Sequence, residues 1–214
     1  MLLGAPGSGK GTQAELITRQ FGIPVTSPGA ILRREKDLGT PLGLETAEIL
    51  QRGDLVSDKI IVKLIEDWLR LHGGYGFVFD GFPRTLPQAE SLASILSSLH
   101  TSLDAAIWLE VSEETVRSRI SDRLQCRTCG FTTSTTSAQF ANRPICPYCE
   151  GRLERRSDDD LSVLQTRLGE YNTKTQPLAN FYGKISILRR IDGNRDRETV
   201  FADISSLIED KVAA

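Results

Sequence analysis

The chain has 214 residues, 39% of them apolar, and 26 basic against 28 acidic side chains for a formal charge of −2. That length suits one α/β core with insertions, and the balanced charge excludes a global pull towards nucleic acid or anionic membrane, so any polyanion site must be local. No stretch offers the ~18 consecutive apolar residues of a membrane span and the start has no basic segment leading into an apolar one, so the expectation is a soluble cytoplasmic protein without a membrane partner.

In chain order, Met1, Leu2 and Leu3 read as a buried strand. It is short against a mean of ~5–6 residues, which fits a start lacking a few native residues. A glycine-rich loop follows, then helical spacing of Ala14, Leu16, Ile17 and Phe21 closed by Gly22. Residues 4–10 fit GxxxxGK between strand and helix, the context in which backbone N–H groups, the positive helix end and a lysine form a polyphosphate cradle. Gly7, Ser8, Gly9, Lys10, Gly11 and Thr12 are the candidate triphosphate contacts. Gly11 stands where such loops carry Ser or Thr, leaving the Thr12 hydroxyl as the candidate for phosphate or Mg²⁺.

Residues 27–56 are helical text broken by Pro28, Gly39, Pro41, Gly43 and Gly53, which predicts a small insert of short helices. Ser57 and Asp58 open a helix with Ile61, Leu64, Ile65, Trp68 and Leu69 on one face. Residues 76–80 and 105–111 have buried-strand character, each followed by a helical segment, and this alternation implies a parallel sheet. Asp80 then emerges at the carboxyl end of a strand beside the phosphate loop, placed to orient Mg²⁺ or its waters. Ser112 caps a helix with Val116 and Ile120 buried, continuing to the cysteine-rich segment. On that helix Arg119 and Arg123, four apart, share a face turned towards triphosphate oxygens. The text of residues 126–151 is turn-rich. Leu161, Leu164, Leu168 and Tyr171 then resume helical spacing, residues 185–191 form a strand, and Val200, Ile204, Leu207 and Ile208 a closing helix.

All four cysteines fall in two CxxC pairs, Cys126/Cys129 and Cys146/Cys149, separated by 16 residues. In a reducing compartment that spacing predicts a tetrahedral Zn²⁺ site, structural because no coordination position is left open. The metal would fix an insert too small to build much core of its own. His72, His100, Trp68 and Trp108 lie in helix-end or core patterns and are assigned no function.

The stretches GAPGSGKGTQ at residues 4–13 and DGFPRTLPQ at residues 80–88 together resemble the adenylate kinase family, and the cysteine insert resembles its bacterial type with a zinc-bearing long lid. The resemblance runs from the first residue to about Val200. It implies an α/β P-loop nucleoside monophosphate kinase fold: a parallel five-stranded sheet flanked by helices, with two inserted mobile domains. The core would comprise residues 1–26, 57–122 and 160–214, with a monophosphate-binding insert at 27–56 and the lid at 123–159. The implied reaction is reversible transfer of the terminal phosphoryl group of Mg²⁺-ATP to AMP, giving two ADP, by a monomer without a nucleic-acid partner.

The same resemblance implies the residue roles. Pro28, Arg33, Asp54, Leu55, Val56, Gly81, Phe82, Pro83, Arg84 and Gln88 would meet AMP, with Arg84 clamping its phosphate and Gln88 reading its adenine. A guanidinium fork matches phosphate oxygens, and an amide offers a donor and an acceptor to a base edge. Arg119, Arg123, Thr132, Thr133 and Arg195 would join the loop on the ATP side. Arg156 and Arg167, which would also meet AMP, would close on the transferring group together with Lys10, Arg84 and Arg123, and Asp158 and Asp159 would pair with Arg156 and Arg167.

The chain departs from the family pattern at two places. Ser27-Pro28-Gly29-Ala30 replaces Ser-Thr-Gly-Asp, and Thr133-Ser134 replaces Tyr-His. Two other readings remain open: a UMP/CMP acceptor, against which Gln88 argues, and a zinc ribbon binding nucleic acid through Arg127, Arg143, Arg152, Arg155 and Arg156. The acidic net charge and the lack of an aromatic stacking series oppose the second.

Overall fold

The computed structural model describes residues 1–72, 76–137, 140, 144–156 and 158–212, with residues 161, 211 and 212 described by backbone alone. Strand β1 (Leu2–Gly4) pairs in parallel with β4 (Ala106–Glu110), and β4 with β8 (Leu188–Asp192). A second parallel ladder joins β2 (Val25–Thr26) to β3 (Val78–Phe79). The two ladders touch at a parallel bridge between Leu2 and Asp80, and Gly81 N–H donates to Leu2 O at 3.1 Å. Where one parallel five-stranded sheet is expected, the structure has a three-stranded ladder β1-β4-β8 and a two-stranded ladder β2-β3 that meet only at that bridge.

Alternation along the strands divides the core, because successive side chains point to opposite faces. Leu2, Val78, Ile107, Leu109 and Ile191 turn to one face, where Ala14 and Ile17 of α1 (Lys10–Phe21) and Val200 and Ile204 of α9 (Arg197–Val212) cover them. Leu3, Phe79, Ala106 and Trp108 turn to the other. There they meet Ile61, Ile65 and Leu69 of α4 (Asp58–His72), Leu92 and Leu96 of α5 (Leu86–Ser98), and Tyr182 of α8 (Leu178–Lys184).

Between β2 and α4 the chain forms α2 (Pro28–Asp37) and α3 (Pro41–Arg52), each with proline in its first turn, where the missing N–H costs no hydrogen bond. Thr40 caps α3, its Oγ1 accepting from Gly43 N at 3.1 Å. Helix α6 (Glu113–Ser121) is capped by Ser112 as expected, and α7 (Leu161–Glu170) buries Leu164 with Leu168 and Tyr171 packed beside it. The Leu161 side chain lies outside the described residues. The cysteine segment forms an antiparallel sheet of β5 (Arg123–Cys126), β6 (Thr132–Ser134) and β7 (Leu153–Glu154), in the order β6-β5-β7.

Three sequence expectations are corrected. The strand expected at 185–191 is Leu188–Asp192, because α8 runs to Lys184 and residues 185–187 turn: Ser186 has φ 62° and its N–H donates to Gly183 O. The strand expected at 76–80 is paired only at Val78–Phe79, with Asp80 as a bridge, since Gly76 at φ 78° is left-handed. Helix α6 does not reach the cysteines. It stops at Ser121, where Asp122 O accepts from Thr135 N at 2.7 Å and ties the chain to the insert. Arg123 therefore opens β5 and shares no helical face with Arg119.

Candidate active site

Lys10 begins α1 behind a loop whose turn needs left-handed backbone at Gly7 (φ 75°) and at Gly9 (φ 97°), the N-cap of the helix. The Lys10 ammonium donates to Gly4 O at 2.8 Å, Ala5 O at 2.7 Å and Ser8 Oγ at 3.2 Å, so it is held over the loop by the loop itself. Burial lowers its pKa to about 7; Asp80 opposes that shift, and Arg84, Arg167 and Arg123 add to it. Asp80 faces the start of α1 closely enough that a Cβ on Gly11 would lie 3.4 Å from its Oδ2.

The loop borders a cleft of about 1060 Å³. Among the arginines that line it, five come from separate elements around its middle: Arg33 from α2, Arg84 from the turn before α5, Arg123 from β5, Arg156 from the segment after β7 and Arg167 from α7. Strand periodicity aims Arg123, because Leu124 and Cys126 are buried in the insert's own core and residues 123 and 125 take the opposite face.

Two carboxylates hold the fan in place. Arg123 grips Asp159 with both ends of its guanidinium, its Nε donating at 2.8 Å, and Arg156 grips Asp158 in the same bidentate way. Arg167 donates to Asp158 O at 3.2 Å and lies 3.6 Å from Asp159, while Arg33 stands 4.0 Å from Asp158. Burial raises Asp158, but Arg156, Arg167 and Arg33 outweigh it and hold the carboxyl well below the usual range. Burial, followed by repulsion from Arg156, pushes Arg33 and Arg167 down to about 9, where both remain protonated at neutral pH. The cations outnumber Asp80, Asp158 and Asp159, and anionic oxygens entering the cleft relieve their mutual repulsion.

Most sequence-predicted residues converge here. Gly7, Ser8, Gly9, Gly11, Thr12, Leu55, Gly81, Pro83, Arg119, Thr132, Thr133 and Arg195 line the same cleft. Arg119 leans on Ser8 O and Arg195 O at 3.5 and 3.4 Å. Others stand back from it. Phe82 is fully buried against Phe79, Val56 is in the core, and Pro28 is buried at the start of α2. Asp54 pairs with Arg52 at 3.0 Å, and Asp158 and Asp159 serve behind the arginines. Gln88 is 2% exposed, its Oε1 accepting from Arg84 N and its Nε2 donating to Asp58, both at 2.7 Å.

Sequence reading missed two residues. Asp58 reads in the sequence only as a helix-opening acid, and its contact with Gln88 across 30 positions leaves no local signal. Tyr148, between the second pair of cysteines, lines the cleft wall where Thr133 and Ser134 leave no aromatic. Its ring packs on Phe131, and Arg19 of α1 lies 3.6 Å above it.

The four cysteine Sγ atoms lie within 4.8 Å of one another, two pairs at 3.4 Å, and all four are free thiols. Tetrahedral Zn–S bonds of ~2.3 Å set sulfurs slightly under ~4 Å apart, so the donor set is compatible with zinc. Of the arginines a nucleic-acid reading would use, Arg127 and Arg152 lean on Glu154, Arg156 is committed to Asp158, and Arg143 lies outside the described residues.

A family model described as adenylate kinase matches residues 2–187. The chain is 39% identical to the adenylate kinase of Carboxydothermus hydrogenoformans over 210 residues, 98% of each chain. It is 41% identical to that of Geobacillus sp. strain WCH70 over 209 residues, 97% of each. To that of Methanosarcina mazei it is 39% identical, again over 97% of each.

Proposed function

The chain belongs to the adenylate kinase family, and on that premise we propose that it transfers the terminal phosphoryl group of Mg²⁺-ATP reversibly to AMP, giving two ADP. The observation that carries this reading is one cleft with two cationic walls, the Lys10 loop on one side and Arg33 and Arg84 on the other, spanned by Arg123, Arg156 and Arg167. Phosphoryl transfer asks a protein mainly to align donor and acceptor oxygens and to neutralise charge on the group in flight. Lys10 and the loop N–H groups take the donor phosphates, with Arg119, Thr132, Thr133 and Arg195 on the same side. Arg33 and Arg84 take the acceptor phosphate, and Gln88 and the backbone of residues 54–56 its base. Asp158 and Asp159 keep the bridging arginines aimed.

Residues 27–56 and 123–159 act as covers over the core, excluding the water that would otherwise accept the phosphoryl group. Mg²⁺ supplies charge neutralisation across the donor phosphates, and Asp80 and Thr12 are the residues placed to hold it or its waters. The acceptor is tested by initial rates with AMP, CMP and UMP at equal concentration. AMP is expected to dominate; a pyrimidine preference overturns the adenine reading.

The cysteine cluster holds structural Zn²⁺ in this reading. Cys146→Ser is expected to lower the melting temperature by several degrees and the bound zinc below one per chain, by calorimetry and metal analysis. Equal zinc and stability in the variant contradict it. The enzyme works as a cytoplasmic monomer on free ATP, AMP and ADP, without nucleic-acid or membrane partners. One chain supplies both cationic walls of the cleft, and among the described residues no helix is long and apolar enough to cross a membrane.

The lowered pKa of Lys10 gives a pH prediction. Its folded value of about 7 lies below the 10.5 of a lysine in water, so the charged form costs stability below pH 7 and the cost is relieved as pH rises from 7 to 10.5. A bound polyphosphate favours the ammonium and raises that pKa again. ATP binding at pH 8 is therefore expected to take up a proton, visible as a binding enthalpy that differs between Tris and HEPES. The difference is expected to vanish in Lys10→Met; an equal enthalpy in both buffers for the wild type removes the argument.

A further inference from the structure

Asp58 opens α4 and faces the first turn of α5. Its Oδ1 accepts from Gln88 Nε2 at 2.7 Å and its Oδ2 from Thr85 Oγ1 at 3.0 Å. The other end of the Gln88 amide accepts from the backbone N–H of Arg84 at 2.7 Å. A carboxylate only accepts and a backbone N–H only donates, so the two contacts allow the amide one orientation. Turning it over sets oxygen against carboxylate and NH₂ against N–H, in a site that is 2% exposed, where unmade hydrogen bonds are expensive.

Among the described residues each end of the amide keeps one unused valence, an N–H on Nε2 and a lone pair on Oε1. The adenine edge presents an amino donor beside a ring acceptor, and a 6-oxopurine presents the reverse, a carbonyl acceptor beside a ring N–H. An amide fixed one way complements one of these edges and opposes the other, whereas an amide free to turn accommodates both. We propose that Asp58 is a specificity-determining positioning residue: by holding the Gln88 amide in one orientation it makes the acceptor site select a 6-aminopurine over a 6-oxopurine monophosphate. This rests on the assignment of Gln88 to the acceptor base.

The test compares kcat/KM for AMP and for IMP, with ATP as donor, in the wild type and in Asp58→Asn, Thr85→Val and Gln88→Ala. Asparagine offers Gln88 either an oxygen or an NH₂ at unchanged size, so Asp58→Asn is expected to lower the AMP/IMP ratio roughly tenfold with KM for ATP unchanged. Should that variant not fold, Asp58→Ser keeps a helix-opening residue but withdraws it from Gln88, and carries the same expectation. Thr85→Val removes the other bond to the same carboxylate and the cap of α5; it is expected to lower the melting temperature and leave the ratio alone. A wild-type ratio in the Asp58 variants, with the ratio lost in Gln88→Ala, overturns the role of Asp58 alone. A shift in Thr85→Val as large as in Asp58→Asn reduces Asp58 to a structural residue and also overturns the proposal. A wild-type ratio in Gln88→Ala removes the adenine assignment itself, and the proposal with it.

Discussion

Lys10→Ala is expected to lower kcat about 10²–10³-fold, the usual cost of removing one preorganised donor from charge developing in a transition state. The melting temperature should move by only a few degrees. In the free protein the ammonium is bonded to Gly4 O, Ala5 O and Ser8 Oγ, and burial has already brought its pKa to about 7. Folding therefore gains little from this cation, and the penalty for desolvating it offsets what its hydrogen bonds contribute. The gain comes when phosphate oxygens replace the carbonyls as its partners. Steady-state kinetics beside calorimetry separates the two effects; a variant that loses stability but keeps its rate makes Lys10 a structural tie for the loop.

Arg84→Ala should cost about 10²-fold in kcat/KM for AMP, close to 3 kcal/mol, with a smaller change in KM for ATP. Among the described residues the side chain is steered by one hydrogen bond, from Nε to Gly81 O at 2.9 Å, which leaves its two terminal nitrogens for an anion. Burial lowers the Arg84 pKa, Asp80 counteracts this, and Arg156 adds to it, as expected of a cation held among other cations for an anionic ligand. Arg84→Lys should recover little, because a point charge does not replace a planar fork on phosphate oxygens. Equal losses for ATP and AMP contradict its place on the acceptor side.

The phosphate loop and the acceptor motif were legible because their chemistry is local: glycines at 4, 7 and 9, the lysine at 10, and DGFPRT directly after a strand. The core was legible in the same way, since Leu2/Leu3, Val78/Phe79 and Ile107/Trp108 alternate between two buried faces. Strand ends were not. Ile185 and Ile187 look like strand residues, yet the helix before them continues to Lys184 and the turn at Ser186 decides where extension begins. Arg123 lines the cleft from a strand, because four-residue spacing from Arg119 suggests a helix and only the Asp122–Thr135 contact breaks it. Long-range partnerships, such as Asp58 with Gln88, Tyr148 with Arg19 and Arg123 with Asp159, leave no local signal in the sequence.

The most direct test follows the phosphoryl group itself. With Mg²⁺, ATP labelled at the γ-phosphorus and unlabelled AMP, the label is expected to appear in the β-position of ADP, with two ADP formed for each ATP consumed. Label released as inorganic phosphate with AMP untouched would contradict the account.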